Sequence, residues 1–163
     1  MAALRANVSA ADSLPWSGHI MLPVQGVNHA YRPLLIKRAD GHMGATIGKT
    51  AAIKVWAIQE GYSLVAQNIP TLRPTDLVTA CLTVTIPEDR YDADSYIKLT
   101  LDLLATYLGR VHPDTPARTR KGRTVYAMWN DLRVRRMVVD KRIDKTRPGI
   151  DVTIERYVEE GAA

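Results

Sequence analysis

The stretch LVTACLTVTIPEDRYDADSYIKLTLDLLATYLG, residues 77 to 109, changes its apolar period halfway along. Val78, Ala80, Leu82, Val84 and Ile86 alternate with Thr79, Cys81, Thr83 and Thr85, the period-two pattern of a half-buried strand over 77 to 86. Past Pro87 the period lengthens. From Asp94 to Leu108, Ile97, Leu101, Leu104 and Leu108 recur at helical spacing, and Gly109 is a natural stop. The stretch therefore predicts a strand leading into a helix. Asp89, Asp92, Asp94 and Asp102 gather around that transition in a chain with 22 Lys and Arg against 17 Asp and Glu.

Elsewhere the reading gives strands and helices in mixed order, an α/β (α+β) chain. Residues 19 to 24, HIMLPV, read as a first strand, followed by an irregular link through 25 to 48. A helix is expected from Lys49 to Gln67, with Ala52, Val55, Trp56, Ile58 and Gln59 in an apolar stripe that extends to Tyr62 and Val65. Alternating runs at about 136 to 143 and 150 to 158 flank the turn signal TRPG and read as a hairpin. Trp56 reads as core, Trp129 as core ahead of a stacking wall near the site, and Cys81 as packing within its strand.

The 163 residues suit one domain, 14–160, behind a flexible segment 1–13. No apolar run approaches the ~18 residues needed to cross a bilayer. The first thirteen residues lack the apolar centre of a signal peptide, and one cysteine cannot form an intramolecular disulfide, so a cytoplasmic protein is expected. Charge is uneven. Residues 118 to 147 carry eleven Lys and Arg against three Asp, while the rest of the chain is net acidic. Such a region attracts a polyanion, because Lys and Arg replace its condensed counterions. Arg118, Arg120, Lys121, Arg123, Arg133 and Arg135 are its candidate DNA contacts.

The segment GHMGATIGKT, residues 41 to 50, resembles a phosphate-binding loop only at first glance. The position five before Gly48 is Met43, and Gly44 is one residue too close, so an NTPase is disfavoured. His19, His29, His42 and His112 have no partner at ligand spacing, which disfavours a zinc site.

Asp92 and Asp94 are two apart. In an extended lead-in such residues point to one side, so their carboxylates can converge if a helix begins at or just after Asp94, which would also serve as its cap. Asp94, Lys98 and Asp102 then share one helical face. An Asp-Lys-Asp ladder of this kind also occurs on ordinary surface helices.

A second segment, MWNDLRVRRMVV at 128 to 139, places Asp131 at the head of the basic region. D-x-D-x-x-x-K, an Asp four residues after that Lys, and an Asn-Asp pair leading into a V-x-x-x-V strand together resemble the RusA family of Holliday-junction resolvases. LPVQGVNHAYRP, with Asn28, is similar to that family's first strand and Asn-containing turn. The resemblance runs with gaps from about Leu14 to Val158. It departs from the family at Ser95, where Asn is usual, at Asn130, where Asp is usual, and at Tyr91, where a basic residue often stands and Arg90 lies one place earlier. Segment 111–128 is longer than the usual link, forming a basic insertion.

The resemblance implies a homodimer with a single mixed, largely antiparallel sheet and two main helices. It also implies Asp92, Asp94 and Asp131 as Mg²⁺ ligands, with Mn²⁺ as a substitute, and Lys98 beside them as a catalytic residue. The implied activity is resolution of four-way DNA junctions by paired nicks, in phage or bacterial recombination and repair. The chemistry agrees with the residues, since Mg²⁺ takes oxygen ligands and carboxylates in a basic protein repel DNA unless a cation lies between them. A non-catalytic junction or DNA binder, and a metal-dependent flap or single-strand nuclease, remain as alternatives.

Overall fold

The computed structural model describes residues 14–23, 30–37, 39–89, 93–110, 117–120, 123–126 and 128–159. It is an α+β structure. Among the described residues, eight strands, β1 Trp16–Ile20, β2 Tyr31–Lys37, β3 Met43–Lys49, β4 Val78–Ile86, β5 Ala117–Arg120, β6 Arg123–Tyr126, β7 Val134–Ile143 and β8 Gly149–Arg156, accompany two helices, α1 Ala51–Ala66 and α2 Asp94–Leu108. A four-stranded mixed sheet of order β1-β8-β4-β7 is the centre, and β2-β3 and β5-β6 form separate two-stranded sheets. The expected segment 1–13 and Asn28 lie outside the described residues.

Strand β4 follows its alternation. Val78, Ala80, Leu82, Val84 and Ile86 are buried, whereas Thr79, Cys81 and Thr83 on the other face are only half-buried. The inward row joins Ile150, Val152 and Ile154 of β8 and Tyr96, Leu99, Leu103, Leu104 and Leu108 of α2 in one core. Ile97 and Leu101, expected on the apolar face, sit at its half-buried margin. Trp56 and Trp129 are core, and the Trp129 indole donates to the Asp76 carbonyl at 2.9 Å.

The expected hairpin at the TRPG turn is corrected. Strands β7 and β8 are not neighbours, because β4 lies between them, parallel to β7 and antiparallel to β8. The connection 144–148 crosses the end of β4, pinned where the Asp144 amide donates to the Ile86 carbonyl at 2.9 Å. Burial explains the order. Strand β8 has a full inward apolar row, while β7 is exposed along most of its length and carries Arg135, Arg136, Lys141 and Arg142, so it belongs at an edge.

Two further expectations change. The first strand begins at Trp16 rather than His19, and part of the link taken as irregular, Tyr31–Lys37 with Met43–Lys49, is an antiparallel hairpin. The false phosphate loop is thus mostly strand. In α1 the buried face is Ile53, Trp56, Glu60, Gly61 and Leu64, whereas Val55, Ile58, Tyr62 and Val65 of the expected stripe are exposed. The helix carries two apolar stripes, and the wider one faces outward. Its inner side holds β1, since the Gln67 amide accepts from the His19 amide at 2.6 Å and donates to the His19 carbonyl at 2.9 Å. Glu60 accepts from the Met21 amide at 3.0 Å. These side chains occupy backbone groups along the outer side of β1 that no strand pairs.

Helix α2 stops at Gly109, but not through a left-handed turn, because Gly109 has φ −88°. The requirement is space. A Cβ at Gly109 would collide with the Trp129 and Ala105 carbonyls, both backbone atoms that cannot rotate away. Gly109→Ala is therefore expected to destabilise the fold by about 1–3 kcal/mol in urea unfolding through overpacking, and an unchanged midpoint would show that the 128–131 segment is not held against the helix end.

Candidate nucleic-acid site at the head of the second helix

Strand β4 ends at Ile86, and α2 begins at Asp94. Ala93 is the N-cap and offers no side-chain bond, so Asp94 is the first helical residue rather than the cap. Its carboxylate stands in the first turn, where the helix N-terminus favours negative charge. Asp92 and Arg90 lie outside the described residues. Asp89, just before them, is held by Lys141 of β7 at 2.7 Å.

The expected ladder along α2 is only partly formed. Lys98 reaches Asp102 at 3.5 Å and its side chain is 63% exposed, a loose surface contact. Asp102 is better occupied from elsewhere, because the Tyr31 hydroxyl donates to its Oδ2 at 2.9 Å and Lys49 Nζ lies 3.4 Å from the same oxygen. The two ends of the β2–β3 hairpin thus close on one carboxylate in the middle of α2. Nothing local in the sequence announces this, since Tyr31 and Asp102 are 71 residues apart. The Tyr31 phenol is pushed up to about 12, first by burial, then by its hydrogen bond to Asp102 and that residue's charge.

Asp131 opens a short 3-10 turn, Asp131–Arg133, capped by the Asn130 side chain, which accepts from the Leu132 amide at 3.1 Å. Its neighbour Trp129 packs against Gly109, and Val134, three residues on, pairs with Val78 at the start of β4. Both contacts place Asp131 toward the C-terminal end of α2, whereas Asp94 is at the N-terminal end. Asp94 and Gly109 are separated by about 22 Å along the helix axis at 1.5 Å per residue. Among the described residues, no three His, Cys, Asp or Glu side chains gather as a group that could hold a metal ion.

The basic residues divide between two places. Arg133 closes the 3-10 turn just before β7, and Arg135 stands at the start of the strand, where the register slips between Val134 and Arg136 and leaves it as the extra residue of a bulge. Arg118, Arg120 and Arg123 belong to a small antiparallel ladder, Arg118 opposite Val125 and Arg120 opposite Arg123. The described part of the basic insertion is therefore a pair of antiparallel strands, and Lys121 lies outside the described residues. No described helix is long and apolar enough to cross a membrane.

Comparison of the sequence with protein-family models finds no match, and comparison with curated proteins finds no relative.

The Tyr31 contact has a measurable signature. Its pKa lies above the ordinary 10.0, so this contribution to stability is complete below pH 10 and is lost as pH rises toward about 12. Phenolate absorbance of the wild type minus that of Tyr31→Phe should give one phenol titrating near 12, and Asp102→Asn should lower that midpoint. A difference curve centred at the ordinary value would remove the contact.

Proposed function

We propose that this chain is a Mg²⁺-dependent, structure-selective DNA endonuclease that resolves four-way junctions as a homodimer, in the manner its RusA-like motifs imply. The observation that carries the reading is the strand-to-helix transition itself: Asp94 in the first turn of α2, Lys98 one turn on, and the basic strand β7 beside β4. Two-fold symmetry of a dimer would match that of a junction. The exposed stripe Val55, Ile58, Tyr62 and Val65 on α1 supports association with a second copy.

The donors suit a hard ion only in part. Asp94, with Asp92 two residues before it in the chain, is the carboxylate pair at the head of α2, and Asp131 stands toward the other end of the helix. When bound, the ion would supply a Lewis acid and a water of lowered pKa. The chain's own residues have separable tasks. The helix N-terminus favours a phosphate. Lys98, exposed and loosely paired, is available to a phosphate oxygen, and the Arg side chains of β7 draw the backbone toward the sheet.

A non-catalytic DNA-binding protein is the second reading, and a specific observation favours it: Asp131 is apart from Asp94, and Asp102 is engaged by Tyr31 and Lys49. Nicking of a mobile four-way junction, a flap and plain duplex, with and without Mg²⁺, separates the readings. The endonuclease should cut the junction only with the ion. Asp92→Asn, Asp94→Asn and Lys98→Ala should each slow cutting roughly 10²-fold or more, while junction affinity without Mg²⁺ holds or rises. Junction binding without cutting of any of the three substrates would leave the non-catalytic reading standing.

A further inference from the structure

At the end of the sheet where β4 gives way to α2, a groove of about 510 Å³ is lined by His19, Thr85, Arg142, Ile143, Asp144, Arg147 and Asp151. It is assembled from four strands and one turn. His19 of β1 faces Asp151 of β8, and Thr85 of β4 pairs with Arg142 of β7 on one side and Gly149 of β8 on the other. The crossing connection 144–148 supplies Asp144 and Arg147. The groove's composition looks neutral, with two arginines and two aspartates. Its hydrogen-bonding capacity is not.

Both carboxylates are already engaged. Asp144 Oδ1 accepts from the Thr146 amide at 2.8 Å and from the Thr146 hydroxyl at 2.6 Å. Those bonds, the hydroxyl's first, hold its carboxyl below the usual carboxylate range. Asp151 Oδ1 is 2.7 Å from His19 Nδ1. This contact fixes the ring so that Nδ1 faces Asp151 and Nε2 is left for a ligand. Gly149 makes room for that pose, because a Cβ there would strike Cε1 and Nε2 of the ring. The guanidiniums of Arg142 and Arg147, by contrast, have no hydrogen bond or ion pair among the described residues. Their planar forks match a tetrahedral oxyanion. What the groove offers an oxyanion is therefore the two guanidiniums.

We propose that this groove binds a phosphate oxyanion through Arg142, Arg147 and the His19 ring that Asp151 orients, and that the phosphate is a DNA backbone phosphodiester. The anion site stands on its own geometry; the choice of DNA rests on the endonuclease reading. The groove opens at the same end of the sheet as the connection into α2, on the face that carries Thr83 and Thr85 rather than the one α2 covers. The charged groups facing His19 are Asp151, Asp144, Arg142 and Arg147, with Gln67, which follows the last residue of α1, bonded to its backbone. With Nδ1 on Asp151, Nε2 donates to an anion only from the imidazolium form of the ring.

The test uses the full chain and inorganic sulfate, whose charge does not change near neutral pH. The His19 Cε1–H signal, assigned with His19→Gln, should shift saturably as sulfate is added. Arg142→Ala with Arg147→Ala should weaken sulfate binding about tenfold or more, with core methyl signals unchanged as the folding control. Lys145→Ala, a cation of the same turn outside the groove, should leave affinity within about twofold. A His19 signal that does not move, or a Lys145 variant as weak as the arginine pair, overturns the site. A short DNA duplex should displace the sulfate in competition. Sulfate binding that DNA does not compete for overturns the phosphodiester assignment alone, and a protein that nicks no junction yet passes the sulfate and competition arms separates failure of the endonuclease reading from failure of this one.

Discussion

Strand β4 is hydrogen-bonded on both edges and buried along its inward face, and the remaining elements are arranged to meet that condition. Its two neighbours, β8 antiparallel and β7 parallel, run antiparallel to each other, yet no two-residue hairpin can join them because β4 lies between them. The chain returns from the end of β4 as α2, which lays Tyr96, Leu99, Leu103 and Leu104 over the same apolar row. A charge placed in that row would be desolvated between the sheet and α2.

Charge is distributed around this centre by what each position can afford to desolvate. The inner strands carry few charges, the edge strand β7 carries many, and the exposed head of α2 carries Asp94. Asp102, the most enclosed carboxylate of that helix with its side chain 24% exposed, has cationic and hydroxyl partners from the β2–β3 hairpin. That contact is structural in kind, since it ties a hairpin to the helix. It also leaves Lys98 with only a long, solvent-screened contact, so the lysine one turn into α2 is not committed to the ladder that its spacing suggests.

The two ends of the sheet are chemically unlike. One end has Asp131 with its capped turn, Trp129 and the end of α2; the other has the acidic connection, Asp94 and the groove with Arg142 and Arg147. Carboxylates and arginines lie close at the second end without neutralising one another, because Asp144 and Asp151 are turned into their own turn and toward His19. That arrangement lets an acidic centre and an anion-binding groove share one end of a small sheet.

The sequence by itself determined the elements whose periodicity is local. The alternation at 78 to 86 and the leucine spacing after Asp94 describe β4 and α2 within a residue or two, since burial of one face requires that period whatever the partner. Of the candidate site, the strand-to-helix placement of Asp94 and Lys98 was legible for the same reason. Only tertiary structure decided which of two apolar stripes on α1 turns inward, because both have helical spacing and the choice depends on what β1 presents. It also decided that β4 separates β7 from β8, that Asp131 lies toward the far end of α2, and that His19 meets Asp151 across 132 residues of chain. Pairings of that kind leave no local trace, because their cost is loop closure and their gain is burial, and neither is written in the spacing of neighbouring residues.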